Sequence, residues 1–251
     1  MPRFDNPAMD NPAMDNHPMP GSTYAFSAAR PTDLGASEYT LVALAADSSS
    51  SVGGFAKDIE QCVAEVVRSC GRSPRSDNLM LRFTTFNHQV REVHGYRPLV
   101  ACSPSDYKGS IRAQGSTALC DAAYTAVASL CTYGAQLEGH DFDVNGIIFV
   151  VTDGCENASR STPKEVRKAI ESARKLAHLS SLTTVLVGVG VKDHGLGQML
   201  DDFRKQAGFD RYVELDKADA SSLAALADFV SKSIAVQSQA LATGAQPAIG
   251  F

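Results

Sequence analysis

Apolar positions along the chain alternate between two periods, and this alternation predicts the elements. Tyr39–Ala46 (YTLVALAA) is a nearly continuous apolar run ending at Asp47, the pattern of a strand buried on both faces. Phe55, Ile59, Cys62, Val63, Val66, Val67 and Cys70 then fall on one helical face, closed by Gly71. Leu79–Phe86 and Gln89–His94 read as two strands joined by a tight turn at Asn87 and His88. Ala122, Ala123, Ala126, Val127 and Leu130 mark the next helix. Ile147–Thr152 (IIFVVT) is a second buried strand, again followed by an Asp. Pro163 opens a helix with Thr162 as its cap, and Val166, Ala169, Ile170, Ala173 and Ala177 line its apolar face. Thr183–Val189 and Arg211–Leu215 read as strands. The helices between and after them carry Leu196, Met199, Leu200 and Phe203, then Leu223, Leu226, Val230 and Ile234.

Strands alternating with helices predict an α/β fold: a doubly wound, mainly parallel six-stranded sheet with helices on both faces. The short link between the second and third strands makes the third an antiparallel edge strand. Sheets of this kind bind ligands at the C-terminal ends of their strands. The expected organisation is a tail over residues 1–36, an α/β domain over 37–238 and a second tail over 239–251. The first tail opens with a pentapeptide repeat (DNPAM, DNPAM, DNHPM). Its recurrent Pro and polar character predict neither helix nor ladder.

Composition narrows the function classes. Of 251 residues, 44% are hydrophobic, and no apolar run approaches the ~20 residues that span a bilayer, so no membrane association is expected. The N-terminal residues lack a signal-peptide core, which predicts a cytoplasmic protein. A net charge of −5 argues against a broad nucleic-acid-binding surface. No two of the six cysteines have C-x2-C spacing, so they read as reduced thiols rather than zinc ligands.

The chemistry gathers after the buried strands. Asp47, Ser49 and Ser51 form an Asp-x-Ser-x-Ser set, Thr117 opens a helix after a polar loop, and Asp153 follows the second buried strand with Gly154 behind it. Two carboxylates and three hydroxyls are hard oxygen donors. They suit Mg²⁺, Mn²⁺ or Ca²⁺ rather than a thiolate-seeking metal. Asp121, one turn after Thr117, reads as a helix-dipole partner, Glu156 and Asn157 as a solvated turn, and the basic stripe from Lys164 to Lys175 as a solvated face.

With these residues in place, the chain resembles a von Willebrand factor type A domain with a metal-ion-dependent adhesion site, over roughly Tyr39 to Ile234. The resemblance implies that Asp47, Ser49, Ser51, Thr117 and Asp153 approach a divalent cation directly or through water. It also implies that an Asp or Glu of a protein partner completes the coordination. The family often has a bulky residue after the last Ser, where this chain has Val52-Gly53-Gly54. Intracellular proteins of similar pattern serve as adaptors beside AAA+ ATPases or in stress-response complexes, which is the partner class the resemblance suggests. The reading is therefore a cation-dependent interaction module and not an enzyme. Self-association through the acidic tail (Asp5, Asp10, Asp15) is the rival. A metal-dependent hydrolase of the haloacid-dehalogenase type would need a second Asp where Ser49 stands.

Overall fold

The computed structural model describes residues 4–5, 14–19, 25–191, 195–216 and 219–243. Its strands are β1 (Phe4–Asp5), β2 (Met14–Pro18), β3 (Ala25–Ala29), β4 (Glu38–Asp47), β5 (Leu79–Phe86), β6 (Val90–Pro98), β7 (Asp143–Thr152), β8 (Ser181–Val189) and β9 (Arg211–Leu215). Its helices are α1 (Ala56–Gly71), α2 (Leu119–Glu138), α3 (Pro163–Ala173), α4 (Leu196–Ala207) and α5 (Ala220–Thr243). The strands form one sheet in the order β2-β3-β6-β5-β4-β7-β8-β9, with β1 also paired to β6. The pairs from β5 through β4, β7 and β8 to β9 are parallel, whereas β6 runs antiparallel to β5. The mainly parallel α/β architecture matches the expectation. Among the described residues no helix is long and apolar enough to cross a membrane.

The central strand shows why its sequence is apolar throughout. Leu41, Ala43 and Ala45 face a core shared with α2, α3 and α4 (Leu130, Ile170, Leu200). Val42, Leu44 and Ala46 face the opposite core, shared with α1 and α5 (Ile59, Val66, Leu226, Val230). Period-2 alternation therefore vanishes, because both faces are covered. At the start of α3 the expected cap is present. The Thr162 hydroxyl accepts from Glu165 N, and Glu165 Oε2 accepts from Thr162 N at 2.7 Å. α5 runs on to Thr243, into the segment expected as tail.

The N-terminal segment departs from expectation. Residues 6–13, which hold most of the repeat, lie outside the described residues, but its last unit does not. Met14–Pro18 pairs antiparallel with Ala25–Ala29, and Ala28 pairs in parallel with Tyr96 of β6. The sheet thus continues beyond the strand expected at its edge. Burial explains this. His17 and Met19 are buried, and the His17 ring sits 5.3 Å from Phe26 and 5.9 Å from Tyr133 of α2. The Tyr133 hydroxyl donates to Ala29 O at 2.8 Å.

A buried ion pair ties this addition to the domain. Arg82 Nε donates to Glu92 Oε2 at 2.8 Å, with both side chains almost fully excluded from solvent. Ser27 of β3 donates to Glu92 Oε1 through its N–H at 2.9 Å and its hydroxyl at 2.7 Å. A buried carboxylate short of donors is costly, so β3 completes a network that β5 and β6 leave open. Gly95 makes the approach possible. A Cβ there would lie 1.7 Å from Ser27 O. Gly95→Ala is accordingly expected to push β3 off the sheet and cost at least about 2 kcal/mol. Urea denaturation, with hydrogen exchange on residues 25–29, checks this.

Next to this network, His94 is buried with both ring nitrogens engaged. In the tautomer this requires, Nδ1 donates to Gly95 O at 2.9 Å and Nε2 accepts from the Tyr107 hydroxyl at 3.1 Å. Burial, reinforced by Arg97 and Arg82, pushes its pKa down from 6.5 to about 4. The folded state therefore binds fewer protons than the unfolded chain between these values. Stability from this group is full above pH 6.5 and falls as pH drops toward 4. Wild type should lose about 2 kcal/mol from this residue between pH 7 and pH 5. Urea titrations at the two pH values should show His94→Gln with a correspondingly smaller loss.

Candidate functional site

The five oxygen-bearing residues named from the sequence are brought to one end of the sheet by three loops. Asp47 is the last residue of β4, and Asp153 follows β7, its parallel neighbour. The first loop turns at once into a short 3-10 helix, Ser50–Gly54, preceded by Ser49. Asp47 Oδ1 accepts from Ser49 N at 2.7 Å. The hydroxyls of Ser49 and Ser51 are 2.9 Å apart, and Ser51 Oγ donates to Asp153 Oδ1 at 2.9 Å. Thr117 stands two residues before α2. A Cβ on Gly154 would lie 3.3 Å from Ser51 Oγ and 4.0 Å from Thr117 Oγ1, which places Thr117 beside the same cluster. Asp47, Ser49, Thr117 and Asp153 are buried, whereas Ser51 is exposed at the mouth.

Backbone bonds hold the second loop to the first. Ser48 O accepts from Gln114 N at 2.9 Å, and Ser50 N donates to Gly115 O at 2.8 Å. Gly115 has φ +75°, a conformation that L side chains rarely adopt. The third loop caps α2. Glu156 accepts from Cys120 N, Ala158 N, Ser159 N and the Ser159 hydroxyl, and Asn157 Oδ1 accepts from Thr117 N at 2.7 Å. Asp121 reaches back to accept from Arg160 N and Ser161 N. Asp121, Glu156 and Asn157 thus lock the loops that carry Thr117 and Asp153. This goes beyond the dipole partner and solvated turn read from sequence. Two of the five residues of the basic stripe are similarly structural: Arg167 caps α4 through Gln206 O, and Arg174, just past α3, holds Asp210.

Sequence reasoning missed Thr152. Its hydroxyl donates to Asp47 Oδ2 at 2.5 Å and accepts from Gly154 N at 3.1 Å, joining the two carboxylate-bearing strand ends. Nothing in its spacing marks it. Its signal is only that a hydroxyl sits at a fully buried position immediately before Asp153.

The electrostatics are those of an anionic cluster without a counter-charge. Burial raises the pKa of Asp47 to about 6, against the pull of the Thr152 and Ser49 hydrogen bonds and with the Asp153 charge adding to the rise. Burial raises Asp153 as well, opposed by Ser51. Among the described residues neither carboxylate has a salt bridge. Nor is any group of three or more His, Cys, Asp or Glu side chains arranged to hold a metal ion. The donor set consists instead of two carboxylates and three hydroxyls. Two partly desolvated carboxylates with convergent hydroxyls fit a hard divalent cation in charge and in donor type.

No family model matches the chain, and no curated protein matches it. Solved structures do. A point mutant of the PilB minor pilin from Streptococcus sanguinis superposes with TM-score 0.58 at 13% identity, over 84% of this chain and 64% of that one. The pilus adhesin SpaC from Lactobacillus rhamnosus GG gives 0.57 at 14% identity, over 80% of this chain and 31% of that one. The protein BatB from Bacteroides thetaiotaomicron gives 0.52 at 19% identity, over 78% of this chain and 99% of that one. The chain thus spans less than two thirds of the adhesin and of the pilin. At these identities the likeness establishes the fold, which is von Willebrand factor type A-like.

Removing the Thr152 hydroxyl tests the construction of the site. Thr152→Val should leave Asp47 Oδ2 buried without its donor and cost about 1–3 kcal/mol, while Thr152→Ser should recover most of it. Urea denaturation of the three proteins in EDTA measures both.

Proposed function

We propose that the chain is a divalent-cation-dependent protein-interaction module. Asp47, Ser49, Ser51, Thr117 and Asp153 would hold Mg²⁺, with Mn²⁺ or Ca²⁺ as alternatives, and an Asp or Glu of a partner would meet them there. The observation that carries this reading is the convergence of two buried carboxylates and three hydroxyls at the ends of parallel strands, tied together by Ser51 Oγ on Asp153 Oδ1. A bound cation would supply a Lewis-acidic bridge between this cluster and an incoming carboxylate.

The chain's own residues do the rest. Ser49 N–H and Thr152 Oγ fix the Asp47 carboxylate so that little reorganisation remains on binding. Glu156 and Asn157 fix Thr117 by capping α2. Exposure of Ser51 leaves the mouth of the cluster open to a side chain from outside. The rival reading, in which the tail of one copy fills the site of another, is weakened at one of its three carboxylates: Asp15 is held by Arg30 Nε at 3.0 Å. Support for a non-enzymatic role comes from the site itself, where Ser49 occupies the position at which phosphatase-type chemistry needs a second Asp.

Isothermal titration of the full chain with MgCl2 and MnCl2 tests the proposal. One site is expected. Asp47→Asn should weaken it at least about tenfold while melting close to wild type in EDTA, since the Asn amide relieves charge repulsion in the cluster. Superimposable isotherms for the two proteins would remove Asp47 from any cation site.

A further inference from the structure

Beside the candidate cation site lies a cleft of about 460 Å³ whose wall includes Ser48, His88, Gln89, Arg91, Arg112 and Gln114. The two adjoin at one residue of the first loop. Ser48 stands between Asp47 and Ser49, and its carbonyl is held by Gln114 N. His88 lies so close to Gly115 that a Cβ there would be 2.6 Å from Nδ1.

The charge of the cleft is unusual for the molecule. Most other described arginines are matched to acids, as in Arg97 with Asp106, Arg174 with Asp210 and Arg204 with Asp201. Arg91 and Arg112 are exposed and carry no ion pair with the described side chains, and Asp5 of β1 stands opposite Arg91 in the strand ladder. Among the described residues of the cleft wall the one carboxylate, Glu92, is turned into the core and committed to Arg82 and Ser27. A chain of net charge −5 thus presents two free guanidiniums and an exposed imidazole next to its anionic cluster.

We infer that this cleft is a second anchoring subsite for the partner. It takes a further carboxylate of the same acidic segment whose Asp or Glu meets the candidate cation site, an assignment that rests on the proposed function. A guanidinium matches a carboxylate with parallel N–H donors, and a second anchor selects clustered acids over isolated ones.

The test uses the full-length protein and two fluorescein-labelled peptides, one with two Glu separated by a Gly-Ser spacer and one with the second Glu replaced by Gln. Anisotropy titrations are run in Mg²⁺ and in EDTA. Wild type in Mg²⁺ should bind the diacidic peptide roughly five- to tenfold more tightly than the monoacidic one. The double variant Arg91→Gln, Arg112→Gln should lose that preference while keeping its Mg²⁺ affinity, its melting temperature and its affinity for the monoacidic peptide. The inference is overturned if wild type shows no preference, if the variant retains it, or if the variant loses both peptides equally, as a general field effect would produce. It is overturned too if only a phosphoserine in place of the second Glu restores the preference. Should wild type bind the diacidic peptide equally in Mg²⁺ and EDTA, with the variant weaker in both, the cation reading fails and the cleft stands.

Discussion

Everything at this end of the molecule depends on one constraint: the Asp47 carboxylate ends a strand buried on both faces and is itself wholly excluded from solvent. A carboxylate in that position must be hydrogen-bonded, neutralised or paired. Here Ser49 N–H and Thr152 Oγ supply hydrogen bonds, and the pKa still rises to about 6 because desolvation outweighs them. The loops around it follow from this requirement. Ser51 binds Asp153, Ser50 N–H reaches Gly115 O, and the third loop grips the start of α2. The result is rigid at its base and open at Ser51, an arrangement suited to receiving charge from outside.

That reading makes the surroundings informative. The anionic cluster and the adjacent free arginines are opposite charges kept apart by backbone: Ser48 and Gln114 join the two loops through main-chain groups and leave the side chains on either side unneutralised. Solved structures that share this fold include an adhesin, a minor pilin and BatB, and these share little sequence with the chain, so function is read from the site.

The same electrostatic logic governs the β5–β6 side of the sheet. The antiparallel β5–β6 ribbon carries the buried Arg82–Glu92 pair, and the N-terminal hairpin supplies the Ser27 donors that complete it. Phe26 lies 5.8 Å from Arg82 Cζ, and Tyr133 stacks on Tyr96 from above. The hairpin therefore belongs to the domain although its sequence has the composition of a tail. Both places use buried charge satisfied from a distant segment, and in both a satisfying group is a small hydroxyl residue that composition alone does not distinguish.

The sequence by itself determined the elements whose information is local. β4, β7 and β8 were legible because burial on both faces forces continuous apolar runs, and the α3 cap because Thr162 and Glu165 meet within one turn. The five candidate ligands were legible because each stands at a strand or helix end, where the fold class places function. Tertiary structure alone decided the rest. Thr152, Asp121, Glu156 and Asn157 act on partners 36 to 105 residues away. Ser27 meets Glu92 across 65 residues, and the hairpin is held where His17 finds Tyr133 and Phe26 finds Tyr96. A hydrogen bond or ring contact between segments so far apart leaves no period in either of them, so it exists in the chain only after the sheet has brought the two together.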